Sequence, residues 1–168
     1  MVNKMTNITL ITGEPKSGKS TFLSNKYKEL HNTYKVGGVI ASDIRDDNGD
    51  RTGFVMKDVA TNETVMLADL ACGGGKVNLG KWYVYVDNIE NFMIPAIANA
   101  LETCDVIFID EVASMQLLSE GFKSFILSDK LVTNNKTIFI TIAKIIYDDH
   151  ENDVDKYIRN IADNVVLL

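Results

Sequence analysis

The stretch that decides the fold is ITLITGEPKSGKS, residues 8–20. Its first five residues, 8–12, are apolar or β-branched and predict a buried strand. The next eight, 13–20, match the pattern G-x-x-x-x-G-K-[ST] at every fixed position. Apolar side chains then recur at helical spacing and predict a helix over residues 19–30. A strand, a glycine-rich turn and a helix in this order are the setting in which this pattern forms a phosphate-binding loop.

Residues 13–20, the phosphate loop, would hold a triphosphate with backbone N–H groups of the loop and of the helix N-terminus. Gly13 and Gly18 permit the backbone angles and the close approach that this requires. We expect Lys19 to reach the β- and γ-phosphates and the Ser20 hydroxyl to bind Mg²⁺. For Lys16, a second cation in the loop, we expect a solvent-facing position. The predicted nucleotide-binding residues here are Gly13, Glu14, Pro15, Lys16, Ser17, Gly18, Lys19, Ser20 and Thr21.

Two acidic residues follow a second apolar strand, VIFI at residues 106–109. Ligands of open α/β sheets collect at the carboxyl ends of the strands, so Asp110 and Glu111 are expected beside the phosphate loop. We predict that Asp110 holds Mg²⁺, directly or through a water, and that Glu111 orients and deprotonates the attacking water. A positioned carboxylate of this kind contributes ~10²–10⁴ in rate. The alternative is a helix N-cap pair, and the phosphate loop upstream favours the catalytic interpretation.

Further apolar strands alternate with helical patterns along the chain. Strands are predicted at 36–44, 53–59, 64–70, 82–86, 137–142 and 165–168, and helices at 89–101, 114–127 and 153–161. Pro95 interrupts the helix at 89–101 and predicts a bend or a late start. Apolar strands separated by helices indicate a mostly parallel sheet with helices on both faces, to which 53–59 and 64–70 add an antiparallel hairpin. We predict one α/β domain over residues 1–168.

Composition limits the partners. The formal net charge is −6, so the chain would gain little from counterion release, and we expect no nucleic-acid partner. No apolar run approaches the ~20 residues that span a bilayer, and we expect no membrane association. Cys72 and Cys104 lie too far apart in sequence for a metal-ligand pair. These features predict a cytoplasmic protein whose partner is a nucleoside triphosphate.

Arginines and one strand end supply weaker candidates. Arg45 and Arg51 flank the turn DDNGD at 46–50, and an arginine often meets charge that develops on the γ-phosphate. Solvated turn residues are the alternative, and the sequence leaves the two open. Thr141 and Lys144 would sense the γ-phosphate, although a plain strand end with a solvated lysine is favoured. Trp82 would stack on a base, but a strand aromatic is more often part of the core.

In this order the motifs resemble those of the THEP-type nucleoside-triphosphatases, along almost the whole chain. The resemblance rests on GEPKSGKS at 13–20, GGVIASDIRDDNGDRTGF at 37–54, GKWYVYV at 80–86 and IDEV at 109–112 through Ser119. It implies a Rossmann-like P-loop NTPase fold, broad base tolerance and Mg²⁺-dependent hydrolysis to NDP and phosphate. Carried over by position, it adds to the nucleotide site Val106, Ile107, Phe108, Ile109, Asp110, Glu111, Val112 and Ala113. Four positions differ from the family pattern: Lys16 and Ala113 replace glycines, and Ser114 and Gln116 replace a lysine and a glutamate.

We therefore predict a nucleoside-triphosphatase that hydrolyses ATP and GTP, with other NTPs as further candidates. Lys19, Glu111, Arg45 and Arg51 are the predicted catalytic residues, and Ser20 and Asp110 the metal ligands. A nucleoside or small-molecule kinase is the first alternative, and it would release little phosphate without an acceptor. A nucleotide-dependent switch is the second, and it would bind tightly and turn over slowly.

Overall fold

The computed structural model describes residues 6–143 and 153–168, which form one sheet with helices packed against it. Within these ranges nine strands lie in the order β5-β6-β4-β3-β2-β7-β8-β1-β9. The strands are β1 (Asn7–Gly13), β2 (Val36–Arg45), β3 (Arg51–Asp58), β4 (Thr64–Asp69), β5 (Val77–Leu79), β6 (Trp82–Val84), β7 (Val106–Val112), β8 (Thr137–Ala143) and β9 (Asn164–Leu167). The run from β2 through β7, β8 and β1 to β9 is parallel, and the pairings among β2 to β6 are antiparallel.

The helices connect these strands. Helix α1 (Lys19–Leu30) follows β1, and α2 (Val86–Asn88) continues through a π-helical turn (Ile89–Met93) into α3 (Ile94–Thr103). A 3₁₀ turn (Gln116–Leu118) precedes α4 (Glu120–Leu127), a second one (Asp129–Leu131) follows it, and α5 (Asp153–Ile161) precedes β9. None of the helices in the described ranges combines the length and the apolar character that crossing a membrane requires.

Alternating residues of the parallel strands face two separate cores. On one face, Leu23 of α1 packs with Phe108 and Phe139, whose rings stack at 5.5 Å between centroids. On the other face, Ile107 joins a larger core that includes Ile97 of α3, together with side chains of α4 and α5. Because successive strand residues point to opposite faces, apolar side chains at every position require helices on both sides. The predicted α/β fold is confirmed.

The antiparallel part is larger than the predicted hairpin. Strands β3 and β4 form that hairpin, but β3 also pairs with β2 across the 46–50 turn, and β5 and β6 extend the sheet beyond β4. Strand β5 was not predicted from the sequence, because only three residues pair and two of them are exposed. The strand predicted at 82–86 ends at Val84, since the chain turns into α2 there.

Two predicted helices differ in detail. The helix predicted over 114–127 is divided at Ser119, whose extended backbone ends the 3₁₀ turn. The Ser119 hydroxyl accepts the Phe122 N–H at 3.0 Å and so caps α4. Pro95 is the second residue of α3 and directly follows the π-helical turn, so the irregularity predicted there is a change of helix type within a continuous helical stretch.

Gly38 fixes the contact between β2 and β7, the strand that carries the acidic pair. Its φ is 100°, in the left-handed region, and a Cβ added there would collide with the Phe108 carbonyl. Only glycine fits this position without strain.

Candidate active site

A cleft of about 640 Å³ opens at the carboxyl ends of the parallel strands. The strand ends of β1, β7 and β8 bring the phosphate loop and the acidic pair to one edge of the sheet. The cleft is lined by Pro15–Thr21, Ala41, Ser42, Asp43, Arg51, Phe54, Leu67, Leu79, Asp110, Glu111, Ala113, Ser114, Met115, Gln116 and Ala143. Part of the lining is polar, and part consists of four large apolar side chains, Phe54, Leu67, Leu79 and Met115.

The phosphate loop is shaped by its own backbone. Gly18 has φ 100° and precedes α1, whose N-terminus has no side-chain cap. The first N–H groups of α1 are therefore available to an anion at the cleft wall. Lys19 donates through Nζ to the carbonyl oxygens of Gly13 (3.1 Å) and Glu14 (3.3 Å), so its ammonium lies over the loop. A Cβ on Gly13 would come within 2.5 Å of the Ser17 hydroxyl, which is why the tight loop needs glycine there.

Asp110 is a buried carboxylate that is hydrogen-bonded on both oxygens. Oδ1 accepts the Thr141 hydroxyl at 2.5 Å, and Oδ2 accepts the Ala41 N–H at 3.2 Å. Burial raises the pKa of Asp110, and these two hydrogen bonds and the charge of Lys19 only partly oppose it. The carboxylate is thus fixed in orientation, and it forms no ion pair among the residues that the structure describes, so a bound cation would supply a counter-charge.

Glu111 lies half-buried beside Asp110 in the same cleft. Burial raises the pKa of its carboxyl, the negative charge of Asp110 raises it further, and the charge of Lys19 opposes both. A carboxyl whose pKa lies above its ordinary value is a stronger proton acceptor once ionised. The pair lies within strand β7 and not at a helix start, so the N-cap alternative is wrong.

Thr141 lies at the end of β8, in line with the favoured prediction of a plain strand end. Its side chain is fully buried and donates to Asp110, and it is not among the residues that line the cleft. It therefore orients Asp110 and does not sense a phosphate. Lys144, the second residue predicted for that task, lies outside the described residues.

The two arginines of the 46–50 turn converge on Asp43. Arg45 Nη2 lies 2.7 Å from Asp43 Oδ2, and Arg51 Nε lies 3.0 Å from the same oxygen. Burial would raise the pKa of Asp43, but the hydrogen bond from Arg51 and the charges of both arginines outweigh it and lower the pKa. Arg51 lines the cleft, whereas Arg45 does not and also donates to the Gly49 carbonyl at 2.8 Å. Of the two, only Arg51 stands where it could meet a bound phosphate.

The remaining predicted residues also divide into those that line the cleft and those that do not. Lys16 has an exposed side chain at φ 63° and lines the cleft as well. Ala113 lines the cleft, but Val112 and residues 106–109 are buried in the sheet, so the segment taken from the resemblance was too broad. Their apolar side chains pack between helices and cannot face a ligand. Trp82 is half-buried and packs edge-on against Phe54 at 5.0 Å between centroids, as expected of a core aromatic.

Several cleft residues were missed by the sequence analysis. Three of them lie in β2 just after the residues that pair with β7: Ala41, Ser42 and Asp43. The resemblance over 37–54 was the one sequence signal for these three residues. Gln116 was noted only as a departure from the family pattern. It is 2% exposed, and its Oε1 has no hydrogen-bond partner among the residues that the structure describes. Phe54 and Met115 lie in stretches that carry the resemblance, whereas Leu67 and Leu79 gave no signal beyond being apolar.

The fold and the cleft together define a P-loop NTPase. A family model described as NTPase matches residues 8–167, and the chain belongs to this family of nucleoside-triphosphatases. It is 37% identical over 150 residues to the nucleoside-triphosphatase THEP1 of Methanocaldococcus jannaschii, covering 88% of this chain and 80% of that protein. The THEP1 of Methanosarcina acetivorans is 33% identical over 134 residues, covering 79% and 73%.

Solved structures agree on the fold. The crystal structure of THEP1 from Aquifex aeolicus matches with a TM-score of 0.73 and 25% identity, over 96% of this chain and 88% of that one. The solution structure of a human cancer-related nucleoside triphosphatase matches with the same TM-score of 0.73 at 22% identity, over 96% and 87%, and this likeness concerns the fold alone.

Proposed function

We propose that this chain binds a nucleoside triphosphate together with Mg²⁺ in the cleft and hydrolyses it to the diphosphate and phosphate. The observation that carries the proposal is the placement of Asp110 and Glu111 in the same cleft as the phosphate loop. A loop that binds phosphates would serve any nucleotide-binding protein. A pair of adjacent carboxylates facing that loop supports chemistry at the γ-phosphate.

The donor set in the cleft fits Mg²⁺. This ion prefers oxygen ligands and keeps several waters, so it needs only one or two protein groups beside the phosphates. The Ser20 hydroxyl and the Asp110 carboxylate both lie in the cleft and would hold it. Because both Asp110 oxygens already accept hydrogen bonds, contact through a bound water suits this carboxylate well. When bound, the ion supplies charge neutralisation at the phosphate oxygens.

Three side chains would act on the reacting groups. Lys19 would exchange its two carbonyl partners for phosphate oxygens and stabilise charge on the γ-phosphoryl group. Glu111 would accept a proton from the attacking water. Gln116 offers a second acceptor, since its buried Oε1 has no partner in the described part of the chain, and a water has two hydrogens to donate.

Arg51 is the arginine that would contact the transferred phosphoryl group. It lines the cleft, and its bond to Asp43 holds it there until a more negative partner arrives. Arg45 would remain on Asp43 and on the Gly49 carbonyl, keeping the turn in place. We also propose a cytoplasmic location, because both cysteines are free thiols, as a reducing compartment allows.

The test measures phosphate release from ATP, GTP, CTP and UTP with Mg²⁺. The wild type is compared with Glu111→Gln and Lys19→Ala, and the matched controls are Glu120→Gln and Lys28→Ala on exposed helix positions. We expect release from several nucleotides, a drop of ~10²–10⁴ in Glu111→Gln with nucleotide binding retained, and near wild-type rates in the controls. Equal release by the wild type and Glu111→Gln would refute the assigned role.

A further inference from the structure

The apolar end of the cleft is not used by the phosphate, metal and proton-transfer roles proposed above. Phe54, Leu67 and Leu79 reach it from β3, β4 and β5, and Met115 reaches it from the segment after β7. Phosphates and Mg²⁺ present no apolar surface that such side chains would cover. Leu79 and Phe54 are only half-buried, so this apolar wall remains open toward the cleft.

Sheet order places this wall on the far side of Glu111 from the phosphate loop. The loop follows β1, the acidic pair ends β7, and β3 and β4 lie two and three strands beyond β7, on the side away from β1. In phosphoryl transfer the attacking and leaving oxygens are roughly in line with phosphorus. The leaving diphosphate would lie on the phosphate loop, and the base would be Glu111. A group on the far side of Glu111 from the loop is therefore on the side from which the nucleophile approaches the γ-phosphorus.

We propose that this apolar wall is an acceptor subsite, which takes a small molecule that carries a hydroxyl group on an apolar body. The enzyme would then transfer the γ-phosphoryl group to that hydroxyl in competition with water. This inference rests on the proposed function, because it uses the same loop, metal site and base. A water nucleophile would need only the polar acceptors, whereas an alcohol also needs a surface for its carbon atoms.

The transfer balances as a single displacement. The acceptor O–H bond breaks and its proton passes to the Glu111 carboxylate. A new bond forms between the acceptor oxygen and the γ-phosphorus, and the bond from that phosphorus to the β,γ-bridging oxygen breaks. The products are a phosphate monoester and the nucleoside diphosphate, and the proton leaves Glu111 to solvent.

Simple primary alcohols are suitable probes. The intact protein is incubated with Mg²⁺ and ATP labelled at the γ-phosphate, with methanol, ethanol, 1-propanol, 1-butanol or 1-hexanol at equal concentrations. Chromatography separates the alkyl phosphate from inorganic phosphate, and the ratio of the two is the readout. We expect this ratio to rise with chain length by up to about fourfold for each CH₂, which is the ~0.8 kcal/mol gained by burying one methylene.

A pair of variants in β5 localises the effect. Leu79→Asn places a polar group on the apolar wall, and we expect the rise with chain length to flatten. Val77→Asn changes an exposed residue of the same strand that does not line the cleft, and the rise should persist. Because the readout is a ratio to phosphate released in the same tube, it is independent of the folded fraction of each variant.

The outcomes separate this inference from hydrolysis itself. Phosphate release with no alkyl phosphate, or with a ratio that does not depend on chain length, would overturn the acceptor subsite and leave the nucleoside-triphosphatase function standing. A chain-length effect that survives in Leu79→Asn would show that the alcohols bind elsewhere and would also overturn it. With neither product formed, both proposals fall.

Discussion

Replacing Thr141 with valine tests how the buried carboxylate is held for a metal ion. The Thr141 hydroxyl donates to Asp110 Oδ1 at 2.5 Å with both residues buried, and within residues 6–143 and 153–168 the Ala41 N–H is the other donor to this carboxylate. Valine keeps the shape of the threonine side chain and removes its hydroxyl donor. A hydrogen bond to a charged group contributes about 1.5–3 kcal/mol. Loss of a partner that orients a metal-binding carboxylate typically lowers metal affinity by about 10–100-fold.

The assay is phosphate release from ATP as Mg²⁺ is varied. We expect Thr141→Val to need about 10–100-fold more Mg²⁺ for half-maximal rate, with most of the maximal rate recovered at saturation. Thr141→Ser keeps the hydroxyl and should keep the wild-type Mg²⁺ dependence. If the valine variant folds and shows the wild-type Mg²⁺ dependence, then Thr141 does not orient Asp110 for a cation.

Two further predictions concern pH and backbone geometry. The rate of hydrolysis should fall as pH drops through the pKa of Glu111, which burial and then the charge of Asp110 raise above its ordinary 4.5. A pH–rate profile should show this decline in the wild type, and an unchanged midpoint of the decline in Glu111→Gln would contradict the assignment. Gly38→Ala should lower the urea midpoint of unfolding by more than Gly49→Ala. Both glycines have positive φ, which costs an alanine about 1–3 kcal/mol of strain, but only at Gly38 would the new Cβ also meet the Phe108 carbonyl. Equal midpoints for the two variants would show that the collision is relieved by a small shift.

Local sequence signals predicted the parts of the fold that local physics determines. Helices α1 (Lys19–Leu30) and α5 (Asp153–Ile161) have the predicted bounds, since each shows apolar residues at helical spacing. The phosphate loop was predictable because its geometry depends on consecutive residues. The acidic pair was predictable because it directly follows an apolar strand, and strand ends of a parallel sheet meet at one edge.

The missed features depend on contacts between distant segments. The hydrogen bond from Thr141 to Asp110 spans 31 positions, and no local pattern distinguishes this threonine from others at strand ends. Pairing of Arg51 with Asp43 depends on the register between β2 and β3, which a one-residue slip would undo. The apolar wall requires β4 to pair with β3 and β6 to join β5 to β4. Apolar residues such as Leu67 and Leu79 are as common in a core as in a binding site.

The acidic pair links the stability of the protein to its ligand. Burial raises the pKa of Asp110 above its ordinary 3.8 and that of Glu111 above its ordinary 4.5. At pH values between each ordinary pKa and the raised one, the folded state therefore binds more protons than the unfolded chain. Stability contributed by these groups is therefore greatest below their ordinary pKa values and is lost as pH rises through the raised ones. When both carboxyls are ionised, their adjacent negative charges destabilise the ligand-free fold, and Lys19 opposes this only in part. A magnesium nucleotide that brings a cation to Asp110 would remove much of that penalty, so the groups proposed for catalysis would also make the folded protein more stable when its substrate is bound.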